Sequence, residues 1–370
     1  MKNYFYLLLA LVIVSCNGKK TAQDKSNETP QEPVQWLTFK GKDDQAKHIV
    51  FISGDEEYRS EEALPQLAKI LSTHHGFKST VLFAQDPEKP GIINANYGQN
   101  IPGLEALETA DLMVIFTRFR ALPDDQMQHI DNYLKKGKPV LGIRTATHAF
   151  NFKPESNSNF KHYGNYYQGE KTEWKDGFGR FILGENWVNH HGKHKHQSTR
   201  GIIAEGAKSH PITNGLEDGD VWGPTDVYGV RLPLPGDSQP IMMGQVVNRT
   251  GEFDEKDIFY GMKPTDQDIA TTNDKGVQLN DPMMPIAWTK SYQLGEGKKG
   301  RVFTSTIGAA NDLLIEGTRR LLVNGVFWAL ELPVPSKANV TLVGDYSPTN
   351  YEFKKDEYWE EKQLKVSDLK

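Results

Sequence analysis

The sequence predicts an α/β domain built on a doubly wound, mostly parallel sheet, and three observations carry that expectation. From His48 onward short apolar runs alternate with longer amphipathic ones, as strands and helices do when helices cover both faces of a sheet. The early runs are apolar throughout, which is how strands buried on both faces read. Charged or polar clusters follow several of those runs, at the strand ends where open sheets of this kind bind ligands.

Each element has its own signal. His48-Ile49-Val50-Phe51-Ile52-Ser53 reads as the first strand. Ser60 to His75 reads as a helix, with Ser60 at the N-cap, Glu61 and Glu62 in the first turn where the dipole favours anions, and Gly76 as the stop. Ser79 to Phe83 is the next strand, and a Pro/Gly/Asn-rich loop from Gln85 to Pro102 has the length typical of functional or mobile loops. Leu112 to Thr117 gives a third strand, Asp124 to Lys136 a helix closed by Gly137, and Pro139 to Ile143 a fourth strand. Beyond Phe150 the rhythm loosens into an insertion, read as a lid or side wall, before a helix from Phe178 to Trp187. Later strands are expected at Arg200 to Ala204, Ile241 to Val247, Pro285 to Trp288 and Arg301 to Thr306, ahead of a final helix from Asn311 to Leu330. The remainder, 333–370, carries one strand-like run, Val340 to Val343, and is read as an extension packed on the domain.

Composition sets the outer limits. An apolar content of 37% with 10% aromatic residues, in 370 residues, supports a substantial core and excludes wholesale disorder. The net charge of −5 offers no basic field, so nucleic acid is not an expected partner. A single cysteine, Cys16, excludes an intramolecular disulfide and a multi-thiolate zinc site, which leaves His and carboxylates as the available metal ligands.

That cysteine has a telling position. Lys2 precedes an apolar run from Tyr4 to Val14 that is too short to span a bilayer, and Ile13-Val14-Ser15-Cys16 follows. The arrangement resembles a bacterial lipobox. It implies a signal peptide over 1–16, lipidation of Cys16, and localisation at the cell envelope with the membrane as a partner through the anchor, on the outer membrane or periplasmic face. Residues 17–45, polar in their first part, are read as a flexible tether and 46–332 as the domain.

Gly142-Ile143-Arg144-Thr145-Ala146-Thr147-His148, a buried strand entering a turn of small residues, is similar to the nucleophile elbow of class I glutamine amidotransferases, a G-I-C-x-G-x-Q pattern. Ser209-His210-Pro211-Ile212-Thr213-Asn214-Gly215-Leu216 resembles the ThuA-like, trehalose-utilisation family, as does Pro285-Ile286-Ala287-Trp288 leading to Gly300 through Ser305. Val323-Asn324-Gly325-Val326-Phe327-Trp328-Ala329 adds a further match. The resemblance covers about residues 46 to 332 and implies a flavodoxin-like, amidotransferase-like sheet and a role in the use of trehalose or a related, oxidised disaccharide. Two departures stand out: Arg144 occupies the elbow, where many relatives have histidine, and Gly308-Ala309-Ala310 replaces a Gly-His pair. With no cysteine at the elbow, glutaminase chemistry has no thiolate to use.

The candidate site follows from the strand ends. Arg118, Arg120 and Arg144 would converge there, where guanidinium forks suit carboxylates, phosphates or vicinal hydroxyls; equally, they could pair with Asp55, Glu56 and Glu57 to hold the crevice together. Thr145, Thr147 and His148 lie on the elbow as ligand contacts or helix caps. Asp226, in Trp222-Gly223-Pro224-Thr225-Asp226-Val227-Tyr228, matches an acidic position of the family, and a carboxylate beside aromatic rings is one way to make a sugar site.

The run Asn189-His190-His191-Gly192-Lys193-His194-Lys195-His196 is the densest signal, four histidines within seven residues. On a strand His194 and His196 would share a face, whereas His190 and His194 would do so only on a helix. One divalent metal such as zinc, on His190, His191 and His194, stands against a solvated basic loop. The catalytic expectation names His148, His190 and Asp226; the substrate-binding one names Glu56, Arg118, Arg120, Arg144, Thr145, Thr147, His191 and Trp222. The two functional readings are a carbohydrate-active hydrolase or isomerase and a non-catalytic sugar-binding lipoprotein, with self-association left open.

Overall fold

Seven consecutive buried residues, His48–Gly54, form the strand from which the sheet grows. Their side chains alternate between two cores, Ile49 and Phe51 into one and Val50 and Ile52 into the other, because successive residues of a strand face opposite ways. The computed structural model describes Met1 and residues 32–370, so the expected signal segment, Cys16 and the tether as far as residue 31 lie outside the described residues.

In chain order the elements of Val34–Lys370 begin with β1 (Trp36–Phe39), β2 (His48–Gly54), α1 (Ser60–His75), β3 (Lys78–Phe83), β4 (Leu112–Thr117), α2 (Asp124–Lys135) and β5 (Val140–Ile143). They continue with β6 (Asn189–His190), β7 (Gln197–Ile203), β8 (Trp222–Gly223), β9 (Tyr228–Gly229), β10 (Gln239–Asn248), β11 (Met284–Tyr292) and β12 (Gly300–Ser305), and close with α3 (Glu316–Ala329) and α4 (Asp356–Lys362). Ten strands form one mixed sheet in the order β1-β3-β2-β4-β5-β12-β11-β10-β7-β8, while β6 and β9 pair separately.

The expected parallel core is the half β3-β2-β4-β5-β12. Helices α1 and α3 cover one face and α2 the other, which is the doubly wound arrangement. Register brings the strand ends level, with Gly54 opposite Thr117 and Ser305 opposite Ile143. The other half, β11, β10, β7 and β8, is antiparallel and carries the histidine-rich loop and Asp226 back to the same edge.

Several sequence expectations shift. Trp36–Phe39, placed in the tether, is an edge strand antiparallel to β3. Ser60 is the first helical residue, not the cap: its hydroxyl bonds Ser53 Oγ at 2.8 Å and accepts from the Asp55 amide at 3.0 Å. Gly76, at φ 73°, does stop α1, donating to the Leu71 and Ser72 carbonyls. The expected helix 178–187 shrinks to one π turn, Gly179–Leu183, packed so closely on the elbow that a Cβ on Gly179 would collide with the Thr147 carbonyl. The final helix starts only at Glu316, after a 3-10 turn at Asp312–Leu314.

Residues Val340 to Val343 form no strand. Instead α4 and a 3-10 turn at Val366–Leu369 press Trp359 and Val366 into the core, and Tyr351, ahead of α4, joins them there. They also fix the long 85–102 loop: the Ile93 amide donates to Leu364 O at 2.8 Å, and Gln85 binds Gln35 O and the Gly91 amide. The insertion is a wall of packed rings, Phe160, Tyr163, Trp174 and Phe178, over the α2 face. Among the described residues no helix is long and apolar enough to cross a membrane.

Candidate functional site

Three residues just past the parallel strands, Arg59, Phe119 and Arg144, have positive φ values of 59°, 49° and 49°. Non-glycine residues in this conformation are held there at about 1–3 kcal/mol each and gather at functional sites. Backbone bonds zip the loops together: Phe119 N donates to His148 O at 2.9 Å and Arg120 N to Ala149 O at 2.7 Å.

The elbow expected at Arg144 is present, as the left-handed residue that turns β5 into a 3-10 helix over Arg144–His148. Its side chain, however, is not presented to the cleft. Arg144 is 1% exposed, and its guanidinium lies against the rings of Tyr228 and Tyr58 at 3.8 and 4.3 Å. It donates to Asp226 O (2.8 Å), Thr306 O (2.6 Å) and Asp226 Oδ1 (3.2 Å). An arginine so engaged ties β5, β12 and the β8–β9 segment together, and its burial leaves no edge of the fork open to a ligand.

The same reason corrects other expectations. Arg120 is spent on carbonyls of Ala95, Tyr97 and Arg118 and on Glu56 Oε2 at 2.5 Å. Thr145 donates to Asp55 Oδ2 and Thr147 to Arg144 O, both fully buried, so their hydroxyls hold the elbow. Trp222 packs in the core against Phe259. His191 points away from its neighbours, toward Leu279 O at 2.9 Å, which removes it from both the ligand set and the expected metal trio. His148 is buried among Phe119, Trp187 and Tyr228, and burial, with Arg118 and Arg144 nearby, holds its imidazole neutral, well below the usual histidine range. It is wall, not an exposed acid or base.

What does converge is a smaller set. Asp226, fully buried, accepts from His190 Nδ1 through Oδ2 at 2.8 Å and from His194 Nδ1 through Oδ1 at 3.0 Å. The side chains of His190 and His194 are 38% and 28% exposed, so a buried carboxylate orients two imidazoles that open to solvent. No helix is needed for this pairing: His190 sits on β6 opposite Tyr228, the chain turns through Gly192 and Lys193 to return His194, and the left-handed Lys195 follows. His196 leaves the cluster and stacks on Phe253.

Acidic partners complete the cleft. Glu56 Oε1 takes Arg118 at 2.5 Å, and Glu57 lies 3.7 Å from Arg118 Nε and 3.6 Å from His194 Nε2. Burial, followed by the nearby Asp55, pushes the Glu57 carboxyl up to about 7. Burial also opposes ionisation of Asp226, yet the two imidazole hydrogen bonds and Arg144 hold its carboxyl well below the usual range. His190 moves the other way: burial disfavours its charge, but the bond to Asp226 and that residue's charge raise it.

Sequence reasoning missed the aromatic rim and named Glu57 only as a pairing partner for the arginines, the role in which it meets Arg118. Arg118 lies between the rings of Phe119 and Phe353 at 4.7 Å each, and Tyr166 stacks beyond Phe119 at 6.0 Å. Phe353 is 56% and Tyr166 61% exposed. Tyr351 packs on Tyr58 at 5.3 Å and on His194 at 5.0 Å. Phe353 and Tyr351 come from the C-terminal extension, where no periodicity marks them; Glu57 stood in a visible acidic run with nothing to separate it from Glu56.

A family model described as ThuA, trehalose utilisation, matches residues 48–329, more than half of the chain. Among solved structures, a ThuA-like protein from Parabacteroides merdae aligns at 14% identity and TM-score 0.45, over 84% of this chain and 98% of that one. A second ThuA-like protein, from Bacteroides uniformis, aligns at 14% identity and TM-score 0.43 over 77% and 91%. A cytoplasmic protein from Salmonella typhimurium aligns at 14% and 0.35, over 76% and 98%. No match was found among the curated proteins.

Proposed function

This chain belongs to the ThuA, trehalose-utilisation, family, and on that premise we propose that the cleft at the strand ends binds a disaccharide or an oxidised sugar and carries acid–base chemistry on it. The observation that carries this reading is the pair of half-open imidazoles, His190 and His194, oriented by the buried Asp226, with Trp187 packed on the His190 ring. Ring faces such as Tyr166 and Phe353 suit the C–H surfaces of a sugar, while Glu56, Glu57 and Arg118 suit its hydroxyls.

His190 is the residue placed to move a proton. With Nδ1 committed to Asp226, its Nε2 is the atom left for a substrate oxygen or carbon-bound proton, which both hydrolysis and isomerisation of a sugar require. Arg144, at the elbow, has no part in the chemistry beyond holding Asp226. The lipobox-like Ile13-Val14-Ser15-Cys16 supports placing this activity at the cell envelope on a lipid anchor.

Turnover and calorimetric binding of a panel of plain and oxidised disaccharides test the reading together. Binding with turnover that falls in His190→Ala supports it. Binding without turnover replaces it with the sugar-binding lipoprotein, and neither binding nor turnover removes it.

A further inference from the structure

We infer that His190, His194 and Asp226 form a site for one divalent transition-metal ion, of the borderline class to which zinc belongs. The inference goes beyond the sugar reading, which needs only the imidazoles, and the two can fail separately.

Geometry is the first argument. One ligand atom from each of the three residues lies within 4.8 Å of the others, and the Nδ1–Oδ separations of 2.8 and 3.0 Å need open by only a few tenths of an ångström to reach the separation of about 3.3–3.6 Å between donors about 2.0–2.2 Å from a tetrahedral ion. Two imidazoles and a carboxylate, with the histidine side open to solvent, match the three-ligand sets that leave one coordination position free.

The surroundings are the second argument. A ligating histidine usually turns its other ring N–H toward a carboxylate, and His194 Nε2 faces Glu57 Oε1 at 3.6 Å. A ligating carboxylate is usually itself hydrogen-bonded, and Arg144 donates to Asp226 Oδ1 while also bonding the same residue's carbonyl. Ring packing from Trp187 on His190 and from Tyr351 on His194 fixes both imidazole planes.

Charge is the third. Asp226 is wholly buried, and Arg144, its one guanidinium partner among the described residues, is committed to two backbone carbonyls and to one oxygen of the carboxylate. A divalent cation at the histidine end lies against the other oxygen and offsets the charge that Arg144 does not. The two lysines of the loop do not oppose it, because Lys195 turns to Glu352 at 3.4 Å and Lys193 is exposed.

The test uses the full-length chain, extracted in detergent, purified without chelator, stripped with EDTA and titrated with zinc chloride and cobalt chloride. Calorimetry is expected to show about one ion per chain, and cobalt to give a visible absorption band from nitrogen and oxygen ligands. His190→Ala and His194→Ala, both on the open side of the site, are expected to weaken binding by more than about tenfold, with circular dichroism unchanged. His191→Ala, next to His190 in the chain but turned to the Leu279 carbonyl, is expected to bind as the parent does. Absence of binding at millimolar zinc, parental affinity in both His190→Ala and His194→Ala, or loss of binding in His191→Ala would each overturn the inference. Sugar binding to the stripped protein, measured alongside, shows whether the earlier reading stands or falls by itself.

Discussion

Arg144 reaches Asp226 twice, at its carbonyl oxygen and at its carboxylate, from a position against the rings of Tyr58 and Tyr228. The residue at the elbow therefore acts on the residue that orients the histidines, and its variants should be read first as stability variants. Arg144→Lys keeps a charge but cannot span the Asp226 and Thr306 acceptors together, and leaving buried acceptors unpaired costs about 1–3 kcal/mol. The expected result is a melting point several degrees lower; an unchanged melting curve would show that the fork is not structural.

His190 variants should be read first in turnover. The residue is partly open, but its one hydrogen bond satisfies Oδ2 of the buried Asp226, so His190→Ala should lower the melting point by a few degrees while the chain stays folded at assay temperature. Turnover on the sugar found active should fall about 10²–10⁴-fold, the usual contribution of a general acid or base. A loss of less than about threefold would take His190 out of the reaction.

His148 separates wall from chemistry. Its imidazole is held neutral by burial, so His148→Phe, which keeps an aromatic plane among Phe119, Trp187 and Tyr228, should retain turnover within a few-fold. In the wild type the folded chain resists protonating His148 while the unfolded chain accepts a proton near 6.5, so its stability contribution is present above that pH and lost as pH falls below it. The variant should accordingly lose less stability than the parent between pH 7 and about 5. Parallel melting points across that range would contradict the assignment.

Glu61 shows the reverse dependence. Burial pushes its carboxyl up to about 7 despite Arg59 at 3.6 Å, against 4.5 for an ordinary glutamate. Between those values the native state holds a proton that the unfolded chain has released, so stability falls as pH rises through the window and the loss is complete above about 7. Glu61→Gln should therefore gain relative to the parent as pH is raised from about 5 to 8, read as the difference in melting temperature. A constant difference would mean that Glu61 does not titrate there.

Cys16→Ser tests the envelope assignment. With no sulfur to acylate, the chain is expected to accumulate as an unprocessed or soluble form, followed by membrane fractionation. Fractionation identical to the parent would end the lipoprotein reading.

Much of the fold was legible because local chemistry and burial agree. The run from His48 to Ser53 is apolar on both faces, Gly76 and Gly137 end their helices where a left-handed residue is required, and both turned out so placed. The π turn at Gly179–Leu183 and the strand Trp36–Phe39 were not legible, since each depends on what it packs against: the elbow in one case, the edge of β3 in the other.

For the site, the residue types were visible and their partnerships were not. Sequence alone marked Arg118, Arg144, His190 and His194, because charged and imidazole groups clustered after strands and on one loop, and the family resemblance added Asp226. Which of them remain open was decided by contacts between residues tens of positions apart: Arg144 with Asp226 and Thr306, His191 with Leu279, Phe353 beside Arg118. Side-chain burial at a strand end is set by the return of the antiparallel half and the C-terminal extension over it, and neither return path leaves a periodic trace in the chain.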